Sequence, residues 1–160
     1  MQTAKNILII RPYNFIFNSE TSESNAFQNE VNEPDALIKL KALEEFNALA
    51  EKLKEKGVSV FVVNDTELPK KPDAIFPNNW ITFHEDGTVI LYPMLAHNRR
   101  PERRQDIVDS LRKNFVITDI LDLSHYENED RFLEGTGSMV FDHKNKIAYA
   151  CLSPRTDKEL

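Results

Sequence analysis

Cysteine is almost missing from this chain: among 160 residues only Cys151 carries a thiol. That excludes an intrachain disulfide framework and any metal site built of cysteines alone. An excess of positive charge is missing too. The net charge is −6, which argues against general binding to nucleic acid or to acidic membranes, because a polyanion normally meets a basic surface. Long apolar runs are absent. Runs such as Ile7 to Ile10 and Val58 to Val63 with Ser59 inside it are strand-sized and far short of the roughly 20 residues that span a bilayer. Residues 1–6 offer Lys5 but no apolar core of a secretory signal. A cytoplasmic protein is the default expectation.

What remains is ordinary for a globular domain: 41% hydrophobic and 29% charged residues, in a chain long enough for one real core. Asn6 to Arg11 reads as a short buried strand stopped by Pro12, which cannot donate to a ladder. Residues 17–35 are polar and read as a long loop. Leu40, Leu43, Phe46, Ala50 and Leu53 recur at helical spacing, with Gly57 as the stop. Val58 to Asn64 is a second strand, followed by a Pro/Lys connector. Asp73 to Phe83 and Thr88 to Tyr92 make a hairpin about Asp86-Gly87. Pro101 opens a helix whose inner face is Ile107, Val108, Leu111 and Phe115. Val116 to Leu123 is a strand. A second hairpin runs from Phe132 to Phe141 and from Lys146 to Leu152, turning at Asp142 to Asn145.

The hairpins form a repeat. An offset of 58 lays Met139 on Ile81, Ile147 on Val89 and Tyr149 on Leu91. A fixed period of this size marks stacked units of a solenoid or a propeller. At the end of the sequence, Thr156-Asp-Lys-Glu159 has the form of a capping box. It announces a helix that Leu160 cuts short, and the expected explanation is truncation of a larger design.

Several segments together carry a resemblance. Pro72-Asp-Ala-Ile-Phe-Pro-Asn-Asn-Trp80, Leu91-Tyr-Pro-Met94, Asn98-Arg-Arg-Pro-Glu-Arg103 and Phe132-Leu-Glu-Gly-Thr-Gly-Ser-Met139 follow one another in order. With Ile9-Ile-Arg-Pro12 and Asn25-Ala-Phe-Gln28, the chain resembles the pentein superfamily of guanidine-modifying enzymes, in its amidinotransferase or citrulline-utilisation hydrolase branch. The resemblance runs from about residue 5 to residue 160.

It implies an α/β fold: a five-bladed propeller of ββαβ-like units, of which this chain holds about half, in units of 1–72, 73–130 and a shortened 131–160. It also implies a cysteine that attacks the guanidinium or ureido carbon of an arginine- or citrulline-like substrate, with no metal and no cofactor. Water or an amine then resolves the covalent intermediate. Glu134 matches the glutamate that grips the guanidinium, Asp73 the first substrate-side aspartate, and Asn79, beside Asn78, a position often acidic in relatives. Arg155 resembles the arginine that binds the substrate α-carboxylate, with Arg99 or Arg100 as its counterpart in the preceding unit.

A guanidinium is a planar cation with donors in a fixed fork, so acceptors at its edges suit it. Each residue also has a plainer role. Asp73 caps a turn after Pro72, Asn78 and Asn79 are turn residues, Glu134 is a loop carboxylate where a hairpin begins, and Arg99 to Arg104 form a solvated helix start. His84 and His143 are expected to be exposed, and His97, beside the arginines, is a weak active-site candidate. Cys151, with Tyr149 and Leu152 nearby, reads as a buried inert thiol rather than a nucleophile. Asn79 in place of an acid favours a neutral ureido group, and Gly137-Ser138 stand where relatives place an aspartate. None of the four histidines follows residue 143, so the catalytic histidine and cysteine are expected beyond this chain. Two functions follow: the N-terminal part of an amidine hydrolase or amidinotransferase, inactive alone, or a non-catalytic pentein-like binding domain. Self-association, or pairing with a missing C-terminal half, is expected from open strand edges. Asp73, Asn79 and Glu134 are expected to converge on one cavity.

Overall fold

The computed structural model describes residues 3–25 and 28–160, so Ala26 and Phe27 of the Asn25–Gln28 motif lie outside the described residues. The chain forms two compact units, residues 1–77 and 78–160. Among the described residues, no helix is long and apolar enough to cross a membrane.

In the first unit, β1 (Asn6–Arg11) lies parallel to β2 (Ser59–Asn64), with Ile7 opposite Val60 and Ile10 opposite Val63. Both segments are rich in β-branched residues, which favour a pleated, half-buried surface. Parallel neighbours require a crossover, and α2 (Asp35–Glu55) supplies it. Its buried stripe is Ala42, Phe46 and Ala50, whereas Leu40 is 52% exposed. Phe46 and Ala50 lie on the expected face with Leu43 and Leu53 partly buried, and the stripe departs from the expected one only at its start, where Ala42 is buried in place of Leu40. Gly57, at φ +79, closes the helix: its amide donates to Lys54 O and that of Val58 to Leu53 O, both within 3.0 Å.

The expected long loop is interrupted by a single turn of helix, α1 (Ser19–Ser22), capped by the Asn18 side chain. Lys71, 1% exposed, has its ammonium 2.8 Å from Pro69 O and from Thr66 Oγ1, and 3.2 Å from Asp65 Oδ1. A buried cation is tolerable only with such a full set of acceptors.

In the second unit, β3 (Ile81–Phe83) and β4 (Thr88–Leu91) form the antiparallel hairpin, and β5 (Asp119–Asp122) joins β4 in parallel. The turn is as expected: Gly87 has φ +87 and Asp86 accepts the Thr88 amide at 2.9 Å. The strand before it is shorter than expected. Residues 73–80 form turns and a 3-10 helix at Pro77–Asn79, because Pro77 and the paired asparagines favour local bonds over a ladder. Pro101 sits inside a 3-10 segment, His97–Glu102, and α3 (Gln105–Arg112) starts only after it. Ile107, Val108 and Leu111 are buried, while Phe115 lies past the helix and is 36% exposed. Trp80, Tyr92, Met94, Leu133 and Met139 complete the core of this unit.

The helical turn α4 (Gly135–Ser138) precedes a second hairpin of β6 (Met139–Asp142) and β7 (Ile147–Ala150). The 58-residue offset thus relates a helical turn plus hairpin to a helical turn plus hairpin. Cys151 is exposed, not buried. All of β7 is exposed because, among the described residues, its only ladder partner is β6. The capping box at 156–159 does not start a helix. Thr156 instead pairs with Leu133 in a bridge, its hydroxyl lies 3.2 Å from Ser153 Oγ, and the Asp157 amide donates to Phe132 O at 2.7 Å.

His84, just past β3, is half-buried, not exposed, with Nε2 3.1 Å from Thr82 Oγ1 and its ring against Phe141 and His143. Burial pushes its pKa below the ordinary 6.5 and His143 adds to that, against the opposing pull of Asp86. As pH falls, the unfolded chain therefore takes up this proton first. The contribution of His84 to stability is complete above 6.5 and is lost as pH drops through and below it. Urea midpoints at pH 7.5 and 5.5 are expected to differ less in His84→Gln than in the wild type. An equal pH slope in both proteins would contradict this.

Candidate active site

Glu134 is the most enclosed carboxylate of the second unit, 1% exposed at the N-terminal edge of α4. A buried carboxylate has to be supplied with donors, and they come from two distant segments. Asn79 Nδ2 donates to Oε2 at 2.9 Å, and the Leu95 amide donates to Oε1 at 3.1 Å. The Arg155 guanidinium stands 3.6 Å from Oε2, near enough for charge but beyond a hydrogen bond. Main-chain bonds fix this arrangement. The Glu134 amide donates to Arg155 O at 3.2 Å, and Ser138 Oγ donates to the same oxygen at 3.1 Å.

The two glycines after Glu134 make the arrangement possible. Gly135 has φ +30, and a Cβ there would meet the Asn78 carbonyl oxygen. A Cβ on Gly137 would run into the Asn79 amide, with Cγ at 2.8 Å. Asn79 is buried by this contact, while Asn78 is exposed and its carbonyl accepts a long bond from Thr136 Oγ1. The sequence Glu-Gly-Thr-Gly thus serves the amide of Asn79 as much as the carboxylate itself.

The arginines expected from the preceding unit are held internally. Arg99 is 4% exposed and makes a bidentate pair with Glu102, Nε to Oε1 and Nη2 to Oε2, each at 2.9 Å. Arg100 donates to Met94 O at 3.0 Å, lies 3.6 Å from Glu127 and covers the Phe132 ring. Arg103 completes the set with a bidentate pair to Glu127, whose Oε1 also accepts the Met94 amide. The basic run is therefore not a solvated helix start, because its guanidinium groups hold the 92–102 segment together. His97 is exposed.

In the first unit Asp73 is also buried, 9% exposed. Its Oδ2 accepts from Asn18 Nδ2 at 2.7 Å and lies 3.1 Å from the Thr21 hydroxyl. Gln28 braces that shell, with Nε2 donating to Asn18 O at 3.0 Å and Oε1 2.8 Å from the Thr21 hydroxyl. Asp73 does more than cap a local turn, since its partners are 55 and 52 residues away. Among the described residues, no cluster of histidine, cysteine, aspartate or glutamate is placed to hold a metal.

The sequence profile of the eukaryotic N,N-dimethylarginine dimethylhydrolases matches residues 11–160. The chain belongs to this family. Its members are hydrolases of the pentein superfamily, and the chain shares their mixed α/β fold. No curated protein matches it in sequence. Among solved structures it is similar to the N-terminal domain of the cyanobacterial arginine dihydrolase ArgZ bound to substrate. That likeness has a TM-score of 0.67 at 18% identity, over 96% of this chain and 51% of that one. It is likewise similar to dimethylarginine dimethylaminohydrolase from Pseudomonas aeruginosa complexed with citrulline, with a TM-score of 0.65 at 19% identity. There it covers 96% of this chain and 52% of the other. The chain thus spans about half the length of either. Against the whole of ArgZ, which also matches, it spans 21%.

Proposed function

We propose that this member of the dimethylarginine dimethylhydrolase family provides the substrate-gripping part of a hydrolase centre acting on the guanidinium or ureido carbon of arginine- or citrulline-like amino acids. The observation that carries the reading is Glu134. This carboxylate, 1% exposed, holds its position through two converging donors, with a cation at hand. In this reading Glu134 grips the planar head of the substrate, Asn78 and Asn79 are further substrate contacts, and Arg155 reads the α-carboxylate. Arg99 and Arg100 drop out of the substrate set because Glu102 and Glu127 already engage them.

The nucleophile is a cysteine other than Cys151, and its histidine partner is likewise none of those seen here. Cys151 is exposed just past an exposed strand, and among the described residues it has none of the enclosing acid/base partners that nucleophilic catalysis requires. The same reading makes the chain part of a propeller of repeated units, 1–72, 73–130 and 131–160. Its support is the recurrence of a helical turn and hairpin at a 58-residue offset. Val140, Tyr149 and Leu152, each more than half exposed, then face further chain or a second copy.

Titration calorimetry with L-arginine, N,N-dimethylarginine and citrulline tests the proposal. The 160-residue protein is expected to bind at least one of them saturably while releasing no ammonia, dimethylamine or ornithine. Lack of saturable binding at millimolar concentrations would overturn the site. Turnover abolished by Cys151→Ser would overturn the assignment of the nucleophile elsewhere.

A further inference from the structure

We infer that Arg155 is a built-in competitor for the substrate-binding carboxylate: its guanidinium stands against Glu134, and a substrate guanidinium must take its place. The inference rests on the reading of Glu134 given above. Each oxygen of Glu134 already accepts one bond, Oε1 from the Leu95 amide and Oε2 from Asn79, and Arg155 supplies the counter-charge. A second guanidinium cannot be added beside Arg155 without placing two cations against one carboxylate, which costs like-charge repulsion in a poorly screened setting.

The Arg155 contact is built to be released. Its nearest approach to Glu134 is 3.6 Å, and among the described residues its side chain makes no hydrogen bond. Its Nε is buried without a partner. A buried donor left unpaired is a standing cost that an arriving acceptor would remove. Meanwhile the Arg155 backbone is fixed, its carbonyl accepting from the Glu134 amide and Ser138 Oγ and its amide donating to Ser153 Oγ. Only the side chain is free to exchange partners.

Exchange then makes specificity a two-ended matter. A substrate with both a guanidinium and an α-carboxylate offers Glu134 a fork at hydrogen-bonding distance and offers Arg155 a new anion. Agmatine, with the same guanidinium but no carboxylate, has to expel Arg155 and gives it nothing in return. Arg155 therefore rejects decarboxylated guanidines actively, beyond simply failing to hold them.

The test is calorimetric titration of the wild type, Arg155→Gln and Arg155→Lys with L-arginine and with agmatine, with Glu134→Gln as a control. Removing the competing cation is expected to tighten agmatine binding about fivefold in Arg155→Gln, the scale of one partly screened ion pair. Arginine binding should weaken in the same variant. Arg155→Lys keeps a charge near Glu134 and should exclude agmatine about as the wild type does. If arginine binds and Glu134→Gln abolishes it, yet agmatine affinity is unchanged in Arg155→Gln, Arg155 is a plain carboxylate clamp and the competitor role is wrong. If arginine binds the wild type and Glu134→Gln equally, the reading of Glu134 fails and the competitor role falls with it. A folded Arg155→Gln that binds agmatine more weakly than the wild type also overturns the role.

Discussion

Glu134→Gln is expected to leave the protein folded and to weaken arginine binding more than a hundredfold. The fold survives because the neighbouring amide is reversible. A glutamine oxygen still accepts the Leu95 amide, and its NH2 then faces Asn79 in place of Oε2. Turning the Asn79 amide over presents Oδ1 to that NH2 and restores the bond. What no rotation restores is the negative charge. Losing one partner of a desolvated charge pair costs about 2–5 kcal/mol, and 3 kcal/mol is already more than a hundredfold in affinity. Calorimetry on the variant, with its urea midpoint alongside, separates the two effects. Binding within threefold of the wild type would show that Glu134 is a structural carboxylate at the start of a hairpin.

Gly135→Ala is expected to have the largest effect on stability, about 3 kcal/mol by urea denaturation. A side chain at φ +30 is strained in itself, by roughly 1–2 kcal/mol. The added methyl also meets a backbone oxygen, that of Asn78, with the Asn79 oxygen and the Tyr92 ring each 3.2 Å away. Backbone and a buried ring cannot give way as a flexible chain end would. Gly57 supplies the comparison: it has φ +79 but nothing within 4 Å of the added Cβ, so Gly57→Ala should cost only the conformational strain. A Gly135→Ala loss no larger than that of Gly57→Ala would mean that the 134–138 turn relaxes freely.

Much of the local structure was legible in the sequence because it depends on neighbours in the chain. The strand at Asn6–Arg11, the Gly57 stop and the Asp86-Gly87 turn are of this kind. The motif residues Asn79 and Glu134 were legible too, and they meet in space. What was not legible depends on what lies opposite. Leu40 fits a helical stripe by spacing, yet it is exposed and Ala42 is the residue buried at that end of the helix. Cys151 sits in an apolar run whose hydrophobicity predicts burial, but nothing among the described residues covers β7. Thr156-Asp-Lys-Glu159 satisfies a local rule for starting a helix. Its threonine is taken by Leu133 and Ser153 instead.

The charged residues show the same limit more sharply. Arg99 and Arg100 match a substrate-binding pattern by position, and only their geometry reveals Glu102 and Glu127 as their partners. The shell of Asp73 was invisible for the opposite reason. Gln28 closes one of the motifs, but Asn18 and Thr21 lie in a polar stretch whose composition signals only a loop. No spacing rule connects these two to a carboxylate 55 and 52 residues onward.

The closeness of Gly137 to the Asn79 amide also constrains how this sequence can change over generations. While asparagine stands at position 79, its amide fills the space that a Cβ at 137 would need, and every residue other than glycine collides with it. Swapping the amide for a smaller group first would open position 137, but would remove the donor to Glu134 Oε2. The two positions are therefore bound in one order of substitution. Change at 79 has to precede change at 137, and the intermediate carries a poorly supported carboxylate. A lineage that holds this pair can leave it one residue at a time only through that intermediate.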